Sequence, residues 1–125
     1  MRKILIIFSF CFGLLIGCKK DPVTISNPGY AIGIVLYYLI DNGRTSSQIE
    51  YNYYVNNKLY DNGYVDSHNG WSVPNHASYQ KGDQFMVQYD QNNIGFSRML
   101  FSYPVKDSAD YIKYVNQFKT NPPGN

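Results

Sequence analysis

The chain has 125 residues, 17% of them aromatic and 16% charged, with 11 Lys and Arg against 9 Asp and Glu. Two of the 11 cations, Arg2 and Lys3, belong to an N-terminal segment that we expect to be removed, so the remaining chain has no excess of cations. The remaining chain therefore lacks the excess of positive charge that is typical of nucleic-acid-binding proteins, and we expect no nucleic-acid partner. The length suffices for one domain with a modest core.

The N-terminal segment has the three-part layout of a secretory signal. Two cations open it, residues 4–16 form an apolar run, and the small residue Gly17 precedes Cys18. A helix of that run would extend roughly 20 Å, which is short of the ~30 Å hydrocarbon core of a bilayer. We therefore predict a cleaved signal peptide over residues 1–17 rather than a transmembrane helix.

The end of this segment, Leu15-Ile16-Gly17-Cys18, resembles the lipobox of bacterial lipoproteins. The resemblance implies that the Cys18 thiol is acylated and that the chain is cut before it; the alternative is an ordinary signal peptide with a chance cysteine. Two or more acyl chains hold a protein stably on a membrane. Lys19 stands where some bacteria place an Asp that retains lipoproteins in the inner membrane. We therefore expect a lipid anchor in the bacterial cell envelope, with the outer membrane favoured over the inner.

Processing also decides the role of the two cysteines. Cys11 would leave with the signal peptide and Cys18 would carry lipid, so the exported chain would have no free thiol and no disulfide. An exported domain without disulfides depends on its core for stability. A cysteine nucleophile, a redox pair and a cysteine metal site are therefore not expected.

Residues 18–29 contain two prolines and a glycine and predict a lipidated tether, followed by a single β-rich domain over residues 30–125. The first run of that domain, residues 31–40, is apolar at both alternate sets of positions. Such a run predicts a strand that is buried on both faces or lines a small barrel. Asp41-Asn42-Gly43 then supplies the residue types of a tight turn.

Residues 48–56 alternate between apolar and polar side chains and predict a half-buried strand. Asn56-Asn57 predicts a two-residue turn into a second strand that begins at Lys58, because Asn tolerates positive φ. A second Asp-Asn-Gly, at residues 61–63, is interpreted as another turn.

The last third of the chain predicts two more strands and a helix. We expect a turn at residues 81–83 followed by a strand over 84–89. A second turn at 90–95 then leads into a strand over 96–103. Apolar residues then recur at helical spacing, which predicts a helix over about residues 108–119 with Asp107 or Ser108 as its cap. We expect this helix to cover an open end or an edge of the sheet. The predicted fold is mainly β, a five- or six-stranded antiparallel barrel or rolled sheet with one C-terminal α-helix.

Three segments resemble a bacterial domain family of unknown function. They are residues 33–35, 51–60 and 82–93, set against the family pattern G-x-V, then Y-x-Y-x-V-x-G-x-x-Y, then G-D-x-V-x-V-x-Y-D-P-x-N-P. Asn57 stands where the pattern has glycine, and Gln91 and Ile94 stand where it has proline. The resemblance implies a small β-barrel, often tethered to a membrane, and brings no catalytic residues.

The irregular stretch 65–80 holds the candidate binding residues. Aromatic rings and imidazoles lie there beside amides, an arrangement that suits sugar stacking or a protein contact, and the four candidates are His68, Trp71, His76 and Tyr79. The alternative for Trp71 is that it packs under the loop as part of the core. Asp66, His68 and His76 are a possible zinc or non-haem metal set. Nothing in their spacing makes them converge, so we predict no metal.

No pattern in the sequence points to catalysis. A nucleophile elbow, a phosphate-binding loop and a dinucleotide motif do not occur, and Glu50 is the only Glu, so a carboxylate pair cannot be proposed on Glu residues. We predict no enzyme and no cofactor. The predicted function is a non-catalytic envelope binding module for a protein or a glycan, and the alternative is an inhibitor or immunity-type protein with one protein partner.

Overall fold

The computed structural model of the protein describes residues 25–39, 48–65 and 79–124. Within them it has five strands and one helix, which are β1 (Pro28–Leu39), β2 (Gln48–Val55), β3 (Lys58–Val65), β4 (Gln84–Asp90), β5 (Asn93–Pro104) and α1 (Ser108–Thr120). The strands form one antiparallel sheet in the order β3-β2-β1-β4-β5. The sheet curls until its edge strands β3 and β5 come close, without closing into a barrel. The predicted mainly β fold is confirmed as a rolled sheet.

The predicted β2–β3 hairpin is confirmed, and its turn is made by Asn56 and Asn57. Their φ angles are 51° and 64°, in the left-handed region that asparagine tolerates better than most side chains. Two successive residues of this kind match the twist of the strands they connect. The register follows directly from the turn, since Val55 pairs with Lys58 and Tyr54 with Leu59.

The predicted turn at residues 61–63 is wrong, because these residues continue β3. Asp61, Asn62 and Gly63 pair with Asn52, Tyr51 and Glu50 of β2. The Asn62 side chain points into the roll, where its Nδ2 donates to Ser97 Oγ at 2.7 Å. A buried amide is tolerated in a strand when its polar atoms find partners, and here the partner lies 35 residues away.

β1 begins at Pro28, two residues before the predicted start of the domain, so the last two residues of the expected tether are part of the sheet. Pro28 pairs with Asp90 and Gly29 with Tyr89. The Tyr89 ring lies directly over Gly29, where a Cβ would stand 2.4 Å from Tyr89 Cζ. Glycine is required here because the ring packs against bare backbone. The earlier tether residues and the predicted turn at 41–43 lie outside the described residues.

The predicted turn before β4 is confirmed at Lys81 and Gly82. Gly82 has a φ of +94°, a conformation that favours glycine, and its N–H donates to Val35 O at 2.8 Å. The turn between β4 and β5 is shorter than the predicted 90–95, because β5 already begins at Asn93. Asp90 Oδ1 accepts a hydrogen bond from the Asn92 N–H at 2.9 Å and fixes this turn.

Side chains pack on both faces of the sheet. The inner cluster fills the roll and consists of Ala31, Val35, Ile49, Tyr51, Tyr53, Val55, Phe85, Val87 and Met99. The outer cluster lies between the sheet and α1 and consists of Met86, Leu100, Val105 and Phe118. Alternate residues of β1 therefore face two apolar layers, which explains why its sequence is apolar throughout.

α1 lies on the outer face of the sheet, so the prediction that it covers an end or an edge is wrong. Asp107 is the cap, because its Oδ1 accepts a hydrogen bond from the Asp110 N–H at 3.0 Å. Phe118 is the buried residue of the helix and packs against Tyr30 of β1, with ring centroids 4.8 Å apart. In the part of the chain that the structure describes, no helix is long and apolar enough to cross a membrane.

Candidate binding site

Most of the residues singled out from the sequence lie outside the described part of the chain. These are Cys18, the binding candidates His68, Trp71 and His76, and Asp66 of the possible metal set. Their roles stay predictions. Among the described residues, no three His, Cys, Asp or Glu side chains come together as a metal site.

Tyr79 is described, and its ring packs at one end of the roll. Its centroid lies 5.1 Å from that of Tyr38, 5.6 Å from Phe85 and 5.0 Å from Phe101. The ring is half-buried and contacts the inner cluster. Burial, with a smaller contribution from Tyr38, raises the pKa of the Tyr79 hydroxyl to about 12. The predicted contact of Tyr79 with a ligand stays a prediction.

The outer face of the sheet carries a groove beside the helix, which we call the tyrosine groove. Its volume is about 400 Å³, within the range of small-molecule sites. β1, β2, β4 and α1 all contribute to its lining, which consists of Tyr30, Ala31, Ile32, Ile34, Tyr54, Gln84 and Tyr111.

The groove exists because α1 is narrower than the sheet it covers. The outer cluster under the helix draws its strand residues from β4 and β5, with Tyr30 and Ile32 of β1 packed beside it. The outer face of β2 and β3 therefore lies beyond the helix. Tyr111 of α1 forms one wall, and its hydroxyl donates to Tyr30 O at 3.0 Å, which fixes the ring against β1. Tyr54 of β2 stands on the other side and is 60% exposed.

The polar groups of the tyrosine groove are neutral. Its described lining residues include no Asp, Glu, Lys, Arg or His, and the amide of Gln84 is exposed on its floor. Next to the groove lies Asn52, which pairs with the lining residue Ile34. Asn52 Oδ1 is buried and accepts no hydrogen bond from any described residue, an arrangement that costs free energy.

A second concavity on the same face has the opposite character. Its volume is about 380 Å³ and its lining, Leu36, Glu50, Tyr51, Asp61 and Asn62, includes two carboxylates. The two sites lie on either side of the Asn52–Ile34 pair. The outer face therefore offers a neutral aromatic groove next to an acidic one.

Comparisons of the chain with protein-family models, with curated proteins and with solved structures found no match. The resemblance to the bacterial domain family of unknown function therefore stays a prediction. The groove has to be interpreted from its own geometry.

The sequence analysis missed the tyrosine groove. Alternation along β1 and β2 places Tyr30, Ile32, Ile34 and Tyr54 on the outer face of the sheet. The available signal was the aromatic ring of Tyr54 on the face of β2 that it shares with the polar residues Glu50 and Asn52. It could not be interpreted alone, since the groove appears only when the position of α1 on the sheet is known.

Proposed function

We propose that the protein is a lipid-anchored, non-catalytic binding module of the bacterial cell envelope, and that the tyrosine groove binds a neutral sugar unit of an envelope glycan. The observation that carries this proposal is the Tyr54 ring, 60% exposed at the rim of a groove with an uncharged lining. Sugar rings present an apolar face that packs on an aromatic ring, while their hydroxyls bind amides and phenols.

Three features of the groove support a sugar over a charged ligand. The lining residues carry no formal charge, so a charged ligand would lose hydration without gaining an ion pair. Gln84 and the tyrosine hydroxyls offer donors and acceptors to neutral hydroxyls. The third feature lies next to the groove: the buried Asn52 Oδ1 accepts no hydrogen bond from a described residue, and a ligand hydroxyl that reached it would remove that cost.

The binding experiment uses two exposed tyrosines as a matched pair. The detergent-purified full chain is sedimented with isolated peptidoglycan and titrated calorimetrically with chitotriose, a soluble N-acetylglucosamine trimer. Tyr54→Ala removes the ring at the groove, whereas Tyr37→Ala removes a ring that is 49% exposed and does not line the groove. We expect Tyr54→Ala to weaken binding about threefold to tenfold, the value of one aromatic contact, and Tyr37→Ala to leave it unchanged.

Two results would contradict the glycan proposal. One is the absence of binding to both peptidoglycan and chitotriose, and the other is equal binding by the two variants. If the immobilised chain instead retains one envelope protein at a fixed stoichiometry, and Tyr54→Ala abolishes that retention, the inhibitor or immunity-type function replaces the glycan function.

The anchor is tested separately at Cys18. Mass spectrometry of the protein from its native membrane should show an N-terminal peptide that begins at Cys18 and carries acyl chains. Cys18→Ser should move the protein from the membrane fraction to the soluble fraction, because the acyl chains supply the membrane affinity. An unmodified Cys18 within an uncleaved chain would reject the lipoprotein assignment and leave the groove proposal intact.

A further inference from the structure

One end of the roll gathers the start of β1 and both hairpin turns. Pro28 begins β1 and pairs with Asp90 at the end of β4. Asn27 O accepts a hydrogen bond from the Gln91 N–H at 2.8 Å. Because β1 and β2 are antiparallel, the Asn56-Asn57 turn lies at the same end. We call it the tethered end, since the chain that leads back to Cys18 leaves the sheet here.

The tether holds this end close to any membrane that anchors Cys18. Ten residue steps separate Cys18 from Pro28, so the chain spans at most about 35 Å when fully extended. The opposite end of β1 lies eleven residues further on at Leu39, roughly 36 Å away at 3.3 Å per residue.

The surface of the tethered end has the side chains that favour a lipid headgroup region. Leu59 is 43% exposed, one residue past the first residue of β3. Lys58 places its Nζ 5.1 Å from the centroid of the half-buried Tyr60 ring. Tyrosine and lysine are the residue types that sit at membrane–water interfaces. Leu59 points to the other face of β3, beside Tyr54, and adds exposed apolar area at the same end.

Charge is distributed unevenly between the two ends of the described structure. At the tethered end the exposed cations are Lys58 and Lys119, and the latter follows Phe118, which packs on Tyr30 near the start of β1. Asp90 at this end accepts a hydrogen bond within its own turn, and the exposed Asp61 lies three residues along β3 from Lys58. Towards the opposite end acidic residues predominate, with Glu50, Asp83, Asp107 and Asp110 against Lys81 and Lys106.

We infer that the tethered end is a docking surface for an anionic lipid bilayer, with Leu59 entering the headgroup region and Lys58 and Lys119 contacting lipid phosphates. The inference rests on the proposed anchor, which brings the domain to the membrane. A weak surface contact is enough for a tethered domain, because the tether makes the encounter intramolecular. Docking fixes the orientation of the domain and directs the opposite end, where β1 ends and β2 begins, away from the lipid.

The experiment measures orientation on a membrane of stated composition. The full chain is reconstituted into nanodiscs that mix phosphatidylcholine with phosphatidylglycerol and contain a nitroxide-labelled headgroup. Transverse paramagnetic relaxation enhancement is measured at the amides of Asn57, at the tethered end, and Glu50, which pairs with Tyr37 near the opposite end of β1. A tether alone also favours the first amide, so the decisive quantity is the change in the ratio of the two enhancements on substitution.

Leu59→Asp is compared with Ile112→Asp, which introduces the same charge at an apolar residue of α1 that is 59% exposed. We expect Leu59→Asp to lower the ratio about twofold or more, because it removes apolar contact and adds repulsion. Ile112→Asp should leave the ratio unchanged. An unchanged ratio in Leu59→Asp, or an equal fall in both variants, overturns the docking surface.

The two proposals fail in distinguishable ways. The nanodisc measurement uses the chain with whatever N-terminal anchor it carries, and mass spectrometry of the same sample reports the state of Cys18. A ratio that responds to Leu59→Asp in a chain with an unmodified Cys18 rejects the lipid anchor and retains the docking surface. A lipidated Cys18 with a ratio that ignores Leu59→Asp retains the anchor and rejects the docking surface.

Discussion

The two apolar layers of the protein are held together by different interactions. The inner cluster is built around Tyr51 and Tyr53, which are fully buried and still hydrogen-bonded: Tyr51 shares a 2.9 Å hydrogen bond with Ser97 Oγ, and the Tyr53 hydroxyl donates to Ile94 O at 2.7 Å. The outer cluster is built around Phe118, whose ring contacts Tyr30, Tyr103 and Tyr114. The inner layer therefore couples distant strands through polar bonds, whereas the outer layer attaches a helix by apolar packing.

The two clusters differ because the inner one lies at the gap between the edge strands β3 and β5 of the rolled sheet, which we call the seam. β3 and β5 approach each other without forming a backbone ladder. Side chains bridge them instead, since Asn62 Nδ2 of β3 donates to Ser97 Oγ of β5 at 2.7 Å. A tyrosine interior suits such a seam, because the rings fill the roll and the hydroxyls reach the opposite strands. The helix lies on one face of the sheet and is attached mainly by apolar packing, with one hydrogen bond from the Tyr111 hydroxyl to Tyr30 O.

The largest expected loss of stability comes from removing a tyrosine ring from the inner cluster. Tyr53→Ala removes a ring that is 1% exposed together with its hydrogen bond, and it should lower the free energy of unfolding by about 3–5 kcal/mol. Urea denaturation followed by circular dichroism measures this loss. Tyr37→Ala, at an exposed position, should change stability by no more than about 0.5 kcal/mol. Similar effects from both substitutions would contradict the assignment of Tyr53 to the core.

A substitution in the outer cluster should destabilise α1 locally, more than it destabilises the rest of the domain. Phe118→Ala should cost about 3 kcal/mol, at the lower end for such a truncation because the helix can shift to close the cavity. Hydrogen exchange should accelerate in α1 more than in β2, since α1 is attached mainly through this cluster. Ile112→Ala, on the exposed side of α1, serves as the control. Equal acceleration in α1 and β2 would show that the two layers form one cooperative unit.

A smaller effect is expected at the seam. Asn62→Ala removes the 2.7 Å hydrogen bond to Ser97 Oγ and leaves that buried oxygen with Tyr51 as its remaining partner. We expect a loss of about 1–2 kcal/mol, measured by the shift of the urea midpoint. Asn116→Ala, at an exposed amide on α1, should be near neutral. A neutral Asn62→Ala would mean that packing alone holds β3 against β5.

The last effect is absent at neutral pH: it is a pH dependence at the Tyr79 end of the inner cluster. Burial raises the pKa of Tyr79 in the folded state to about 12 from its ordinary 10.0, so folding favours the protonated phenol. The contribution to stability is complete below pH 10 and is lost as the pH rises from 10 to about 12. Tyr79→Phe should reduce the loss of stability across this interval, measured by urea denaturation at pH values on either side of 10. An unchanged loss would place the titration at other tyrosines.

The strands and turns that depend on local chemistry were predictable from the sequence. The alternation of residues 48–55 identified both β2 and the face that carries Tyr51 and Tyr53. The Asn56-Asn57 turn and the Asp107 cap followed from side chains that bond or tolerate their own backbone. In each case, the interactions that determine the strand, turn or cap are made by residues close to it in the sequence.

The features that depend on distant partners were not predictable. Asp61-Asn62-Gly63 has turn chemistry, but it lies in a strand because Asn62 reaches Ser97 on β5. The periodicity of α1 showed that it has an apolar face, and nothing in that pattern says which part of the sheet receives it. The tyrosine groove depends on both the strand order and the helix position. Neither is encoded in any single segment.

The central position of β1 has a consequence for how the chain reaches its folded state. β1 pairs on one side with β2 and on the other with β4, and the second pairing joins residues from 50 positions apart, Ile34 and Gln84, to 62 apart, Pro28 and Asp90. The shorter-range pairs of β1, β2 and β3 can form first, while the backbone N–H and C=O groups on one edge of β1 stay unpaired until β4 joins. Until β4 and β5 arrive, that edge is a template for pairing with other chains. We therefore expect folding intermediates in which β1 has paired with β2 and not yet with β4 to be prone to aggregation.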